Sequence, residues 1–403
     1  MRRTMRPCRP PWRPRPICVA EAADLVVIGG GLSGLSLAVR LAQSGYPGRV
    51  IIVEPRQRYE DDRSWGVWTP RAGAWASLAT RTWDRWSFSR APGSPIARSA
   101  AGWCYAYVRG GDFYRTALAA IAACPNITLL TGTRVEDIRA RDDGFVVATG
   151  AGTLSARHVV DTRPPPASQW SAATLFQSFA GHELQLARPG FDPSQVELMT
   201  DMRCDERGFV FTYLLPLSPT RALVEVTRFA TQPFGAAELA PDLHALLESR
   251  GWSGAAVLRE EAAVLPMGLP ATASAGRVRG VAGAGVGAGA LRAASGYGFV
   301  RIQAWAEACA AALMQRLPPR GHPPEPALRG WMDRVFLRAL VNHPDRTPEF
   351  FMRLAQSVPG PAFVRFMSDQ AGGSDYARII AALPPGPFLQ ALPARPSRVR
   401  LPA

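Results

Sequence analysis

The stretch DLVVIGGGLSGLSLAVRLAQSGYPGRVIIVEP, residues 24–55, decides the fold. Leu25, Val26, Val27 and Ile28 form a short apolar run of the kind that fills a buried strand. Glycines at 29, 30, 31 and 34 follow, and Leu32, Leu35, Val39 and Ala42 then recur at helical spacing until Ser44-Gly45 ends the helix. Residues 50–53 are a second apolar run, closed by Glu54. Strand, glycine turn, helix, strand is a βαβ unit. Gly29-x-Gly31-x-x-Gly34 is a dinucleotide fingerprint: the first glycine makes the turn, the second admits a pyrophosphate, and the third lets helix pack on strand. The helix N-terminus then faces the phosphates, and Glu54 is placed to bind ribose hydroxyls. The unit alone leaves FAD and NAD both open.

The rest of the chain favours FAD. An NAD dehydrogenase would continue in further βα units. Here residues 56–102 read as loop-rich and aromatic. "YAYVRGGDFYRTALAAIAAC" reads as a strand ending near Arg109, which is placed to face a flavin, and then a helix with Asp112 as N-cap. A run of strands leads to "HVVDT", and "RPPPA" at 163–167 breaks it. Residues 170–266 read as mostly β, with a turn at Ser218-Pro219-Thr220 and one helix around 236–250. "GRVRGVAGAGVGAGALRAASGYGFVRIQAWAEACAAALMQRL" returns to short strand, glycine turn and long helix. Gly289, Ser295, Gly296 and Tyr297 are its candidate cofactor contacts. From Ala327 the chain reads as helical and rich in Arg and Phe.

A chain of 403 residues is too long for one small domain. Its expected division is a basic disordered tail (1–22, or an upstream start), a discontinuous cofactor domain (23–165 and 267–320), a β-rich substrate domain (166–266), a helical cap in contact with membrane (321–385) and a second basic tail (386–403). No stretch of about 18 residues is apolar enough to span a membrane, and the Arg/Pro-rich start lacks the apolar core of a secretory signal. The formal charge is +14 with no lysine, and nine of the arginines lie in the two tails, so the body carries only +5. A mildly basic body suits an anionic surface or is merely solvated. Without a nucleic-acid module, lipid is the expected surface and nucleic acid is not. Six cysteines without a CxxC and five histidines without HExxH offer no metal site and fit a reducing cytoplasm.

Several motifs together resemble the lycopene β-cyclase family, flavoproteins of the p-hydroxybenzoate-hydroxylase type of fold. After the fingerprint come "DRSW" (62–65) with its aromatic patch, "FQSFAGHEL" (176–184), "ELMTDMR" (197–203), "GFVFTYLLPLSPTRALVEVTRFA" (208–230), "LREEAAVLP" (258–266) and "GAGALRAASGYGF" (287–299), in family order. The chain departs from the family at Val226, where a second acid is usual, at 293–297, where a Pro-Ser/Thr-Thr-Gly-Tyr run is common, and at 63–65. The resemblance implies an α/β plus β fold: an FAD-binding Rossmann-like domain, a β-rich substrate domain and a helical C-terminal cap.

It also implies an intramolecular lyase or isomerase. Lycopene's end groups would close to β-ionone rings without net redox change, with reduced FAD as cofactor and NADPH as electron donor. The enzyme would sit on the inner face of the cytoplasmic membrane, near other carotenoid enzymes. Protonating an alkene needs a carboxylic acid kept neutral by burial or a nearby anion. The family's catalytic Glu falls on Glu225, with Arg228 as an alternative ion-pair partner that would make it merely structural. Asp201 is a second candidate, tuning Glu225 or taking the final proton. Trp65 and Trp68 would line the substrate tunnel or pack in the core, and Glu260-Glu261 would face solvent, with supply of an acid as their alternative role. Another FAD oxidoreductase of this fold (a hydroxylase, or a polyprenyl or carotenoid reductase) and a non-catalytic flavin binder are the alternatives.

Overall fold

The computed structural model describes residues 21–269 and 278–392, so most of the first tail and the end of the second lie outside the described residues. The opening unit is β1 (Glu21–Ile28), α1 (Leu32–Gln43) and β2 (Val50–Val53). Four short strands follow: β3 (Ser64–Pro70), β4 (Arg81–Trp83), β5 (Arg85–Phe88) and β6 (Ile96–Ser99), with α2 (Ala74–Leu78) between the first two. Local sequence does not announce these strands, because they are three to seven residues long; β3 and β4 pair with β7 and β5 with β13, while β6 pairs with its neighbour β5. Then come β7 (Trp103–Arg109), α3 (Gly110–Ala122), β8 (Ile127–Leu130), β9 (Val135–Arg141), β10 (Gly144–Thr149) and β11 (Gly152–Asp161). Arg109, not Asp112, is the N-cap of α3. Asp112 sits in its first turn, where Thr80 Oγ1 donates to it at 2.9 Å.

The first sheet has the order β8-β2-β1-β11-β10-β9, with the short β17 (Ala282–Gly283) beside β11. β8, β2, β1, β11 and β17 are parallel; β10 and β9 form an antiparallel flap. The parallel strands are apolar on both faces because helices cover one and the flap side the other. α1, α3 and α5 (Phe299–Met314) bury Leu35, Leu41, Phe113, Trp305 and Leu313 against them.

The second sheet has the order β16-β12-β15-β14-β13-β5-β6, built from β12 (Leu175–Gln185), β13 (Val196–Asp205), β14 (Gly208–Ser218), β15 (Arg221–Ala230) and β16 (Ala256–Met267). The turn expected at 218–220 joins β14 to β15. Strand alternation sorts β15 into two faces. Ala222, Val224 and Val226 pack toward α4 (Ala236–Ser249), while Leu223 and Phe229 share a cluster with the C-terminal helices. Those helices are α6 (Ala327–Asn342), α7 (Thr347–Ser357), α8 (Gly360–Met367), α9 (Gly373–Ala382) and α10 (Pro385–Gln390). β3, β7 and β4 form a small third sheet.

Candidate active site

Glu225 lies on the same face of β15 as Leu223 and Phe229, directly opposite Gly181 on β12 and Tyr213 on β14. Gly181 also pairs with Glu261 on β16. Glu225 and Glu261 therefore flank a residue that has no side chain. A Cβ at 181 would collide with the Glu225 Cγ and sit 3.0 Å from the Val224 carbonyl. The glycine leaves the gap across which the two carboxyls hydrogen-bond. Burial first, then the charge of Glu261 and that hydrogen bond, push the Glu225 carboxyl well above the usual carboxylate range; Arg259 pulls the other way. Glu225 keeps partial access, and Glu261 is 6% exposed.

Glu261 heads a network of buried charges. Arg259 Nη1 donates to Glu261 Oε2 (2.6 Å), its Nε to Glu183 Oε2 (3.1 Å) and its Nη2 to the Tyr107 hydroxyl (2.7 Å). Ser64 Oγ lies 2.8 and 3.0 Å from the two Glu261 oxygens. Glu183 also receives Arg221, and Arg109 Nη2 at 3.4 Å; Arg109 and the Gly111 amide both bind Asp61. Period-two alternation puts Gly181, Glu183, Arg259, Glu261 and Glu225 on one face, and the small sheet delivers Tyr107 and Ser64 against it.

A cavity of about 340 Å³ opens between the large sheet and the helices α6 to α10, within the common size of small-ligand sites; neither Glu225 nor Glu261 is on its wall. Trp68, Phe88, Tyr213, Phe229, Tyr297 and Phe363 are among its walls. Tyr213, the cross-strand partner of Glu225, lines the cavity, as does Tyr297, and both feel the charge of Glu225. Burial drives both phenols well above their ordinary range. Tyr105 approaches the same group because Gly66, facing its hydroxyl, has no Cβ to obstruct it. Gln177, also on the wall, has a buried Oε1 with no partner among the described residues.

Other expected residues fall as follows. Asp201 is not near the acid: it sits at positive φ on β13, two strands from β15, and pairs with Arg250 at 2.7 Å. Arg228 points to the opposite face and pairs with Asp205 and Asp242, so it does not neutralise Glu225. Arg109, expected near a flavin, pairs with Asp61 and Glu183 inside the network. Glu260 is exposed, but its neighbour Glu261 is buried, against the expectation for both. Trp68 lines the cavity; Trp65 packs instead on Phe113, Tyr114 and Phe299.

The fingerprint glycines divide by role. A Cβ at Gly34 would strike the Gly29 carbonyl, and Gly29 turns at φ 98°, so these two build the turn. A Cβ at Gly31 would meet nothing within 4 Å; it faces open space at the N-terminus of α1, whose first turn has no side-chain cap. Buried Glu54 accepts from the Gly30 amide (2.6 Å) and from Arg56 N (3.0 Å) and Nε (2.8 Å), three of the about four bonds a carboxylate takes. The second glycine turn leads into α5 through Gly289 (φ 84°, open space), Gly296 (φ 69°), and Ser295 and Tyr297 on the cavity wall.

Residues 24–393 match the family model described as Lycopene cyclase protein. The chain belongs to the lycopene cyclase family. It is 28% identical to a lycopene β-cyclase of Paracoccus sp. (strain N81106 / MBIC 01143) over 93% of this chain and 98% of that one. It is 26% identical to a lycopene β-cyclase of Pantoea ananas over 92% and 97%. In fold, this family member resembles a geranylgeranyl bacteriochlorophyll reductase-like protein of Thermoplasma acidophilum (TM-score 0.60, 13% identity, 92% and 98% covered). It likewise resembles the flavin-dependent brominase Bmp2 (TM-score 0.57, 13% identity, 90% and 98% covered). The fold is the p-hydroxybenzoate-hydroxylase-like one. Sequence reading of this cyclase-family chain missed Glu261, Arg259, Glu183 and Gly181 as a unit. The signal was there: in "LREEAAVLP" and "FAGHEL", residues two apart on a strand share a face.

Proposed function

We propose that the protein is a lycopene β-cyclase that closes ψ-end groups to β-ionone rings by acid catalysis. The observation that carries this reading is a carboxyl that burial and a second carboxyl push well above the usual carboxylate range, paired across the strands with Tyr213 on the wall of an aromatic and aliphatic cavity. Glu225 donates its proton to the terminal double bond. The tertiary cation so formed is attacked by an internal double bond of the same chain, and loss of a proton from the new ring completes it. One proton enters and one leaves, so no oxidant or reductant is consumed. The faces of Trp68, Tyr213 and Tyr297 offer cation–π attraction to the charge, and the apolar walls keep water from capturing it.

FAD belongs to the same proposal. The open space at Gly31, the uncapped start of α1, the open Gly289 turn and the unpartnered Gln177 Oε1 all fit a bound dinucleotide. Gly29, Gly31 and Gly34 would hold its pyrophosphate, Glu54 its ribose, and Gly289, Ser295, Gly296 and Tyr297 would lie along the remainder. Bound and kept reduced by NADPH, it supplies a flat negative charge that favours a neighbouring cation. Expression in cells that accumulate lycopene, with pigments separated by chromatography, tests the reading. β-ring products support it. Reduced or hydroxylated products, or unchanged lycopene despite flavin uptake, overturn it in favour of a reductase, a hydroxylase or a flavin binder.

A membrane surface is the proposed source of substrate. No helix among the described residues is long and apolar enough to cross a membrane. The segment 350–367, expected to face lipid, instead turns Phe350 into the core and Phe351, Leu354 and Phe363 onto the cavity. The exposed apolar residues Trp331, Ile380, Leu389 and Leu392 all line that cavity, marking its mouth, and Arg334 and Arg338 are exposed on the same helix as Trp331. Sedimentation with anionic vesicles is expected to carry the protein down, and Leu389→Ser to weaken it by about fivefold, a fraction of a buried leucine's worth. Wild-type protein remaining in the supernatant overturns the docking.

A further inference from the structure

Among the described residues, the network around Glu225 is one cation short. Asp61, Glu183, Glu225 and Glu261 supply four carboxyls, while Arg109, Arg221 and Arg259 supply three guanidiniums. The ring of other groups is neutral and hydroxylic: Ser64 from β3, Tyr105 and Tyr107 from β7, Tyr213 from β14, and Tyr297 ahead of α5. Glu183 and Glu261 are buried and Glu225 is half-buried, and a carboxylate shielded from water without a cation is costly to keep, so one of the cluster holds a proton. Arg259 decides which. Its fork grips Glu261 at 2.6 Å and Glu183 at 3.1 Å, and no hydrogen bond joins it to Glu225.

We propose that Arg259 and Glu261 are positioning residues whose ion pair fixes the cluster's single proton on Glu225. This rests on the reading of Glu225 as the acid, but it concerns where a proton sits and can be checked without turnover. The geometry gives an unusual sign. Removing the acidic neighbour by Glu261→Gln frees the Arg259 fork, so Glu225 becomes the anion that answers it. The acid is then still present and no longer an acid. Removing both, in Arg259→Gln/Glu261→Gln, takes away anion and cation together and leaves Glu225 neutral by burial alone.

Infrared difference spectroscopy of the full-length, flavin-loaded protein reads protonated carboxyls directly. Wild type is expected to show one at neutral pH that disappears in Glu225→Gln. Glu261→Gln is expected to lose it too, with cyclisation falling at least about a hundredfold, the scale of a general acid. The double variant regains the band and part of the rate, and Arg259→Lys, which keeps the cation, retains the band. A Glu261→Gln protein that keeps band and rate overturns the proposal, as does a double variant no better than the single one by either readout. Should wild type carry the band and these responses yet convert no lycopene, the cyclase reading fails and the proton assignment holds.

Discussion

Two clusters of partly buried charge stand in the molecule, and among the described residues they differ by one cation. The cluster under Glu225 has four carboxyls to three guanidiniums. The other joins the second glycine turn, α5 and the cap, and is balanced: Arg292, Arg301 and Arg329 against Asp333, Glu325 and Asp369. Arg292 Nη2 meets Asp333 Oδ1 at 3.1 Å and its guanidinium lies over the Phe366 ring; Arg329 Nη1 meets Asp369 Oδ1 at 2.9 Å. Each charge there has an opposite, so the three arginines oppose the upward push of burial on the Asp369 carboxyl, and the cluster's work is to staple α6 and the end of α8 to the loop before α5. A cluster left one cation short stores a proton; a balanced one holds helices together.

The two should therefore fail in different ways. Glu225→Gln is nearly isosteric and keeps the fold, yet it is expected to lower cyclisation by about 10²–10⁴-fold with flavin content unchanged; unaltered turnover of purified protein on lycopene would break the functional half of the comparison. Asp333→Ala leaves Arg292, 2% exposed, without its carboxylate. The expected cost is about 3–5 kcal/mol in stability by denaturant unfolding, with the pH dependence of residual activity unmoved. A shifted pH profile in that variant would mean the balanced cluster also governs the proton.

How much of this was legible in the chain follows the range of the interactions. The βαβ unit, the hairpin at 218–220 and α4 are local, and propensity and period agree on them. Glu225 was legible through its motif. Its true partner was not, because Glu261 reaches it only by lying one strand beyond Gly181, and that strand order brings residue 261 past residue 181 from eighty residues away. Asp201 stood as the second candidate, but a bulged stretch of β13 turns it toward Arg250. Of the strands between 56 and 102, β3, β4 and β5 were invisible for the same reason, since they pair with β7 and β13; β6 is a four-residue edge strand on β5.

The missing cation also predicts a stability slope. The carboxyl of Glu225 is raised in the folded protein, so above the unfolded value the folded chain binds a proton that the unfolded chain has lost. Stability must then fall as pH rises, by up to about 1.4 kcal/mol per unit for one proton, until the folded group itself ionises. Urea melts of wild type across the neutral range should show that decline, Glu225→Gln should flatten it, and Asp333→Ala should keep it on a lower baseline. An equal slope in Glu225→Gln would put the excess proton on another group.

The smallest change with the sharpest sign is Gly181→Ala. The added methyl falls where the Glu225 Cγ now lies, so the two carboxyls must separate. Separation weakens the anion's hold on the Glu225 proton while the pull of Arg259 remains, and the acid loses its proton at lower pH. The alkaline limb of the cyclisation profile is expected to move down by about one unit, so that rate drops about tenfold only on that limb and is preserved in more acidic buffer. A uniform loss at every pH would indicate simple misfolding of β12. An unmoved limb would show that Gly181 merely relieves crowding, and that burial without the second carboxyl suffices to keep Glu225 neutral.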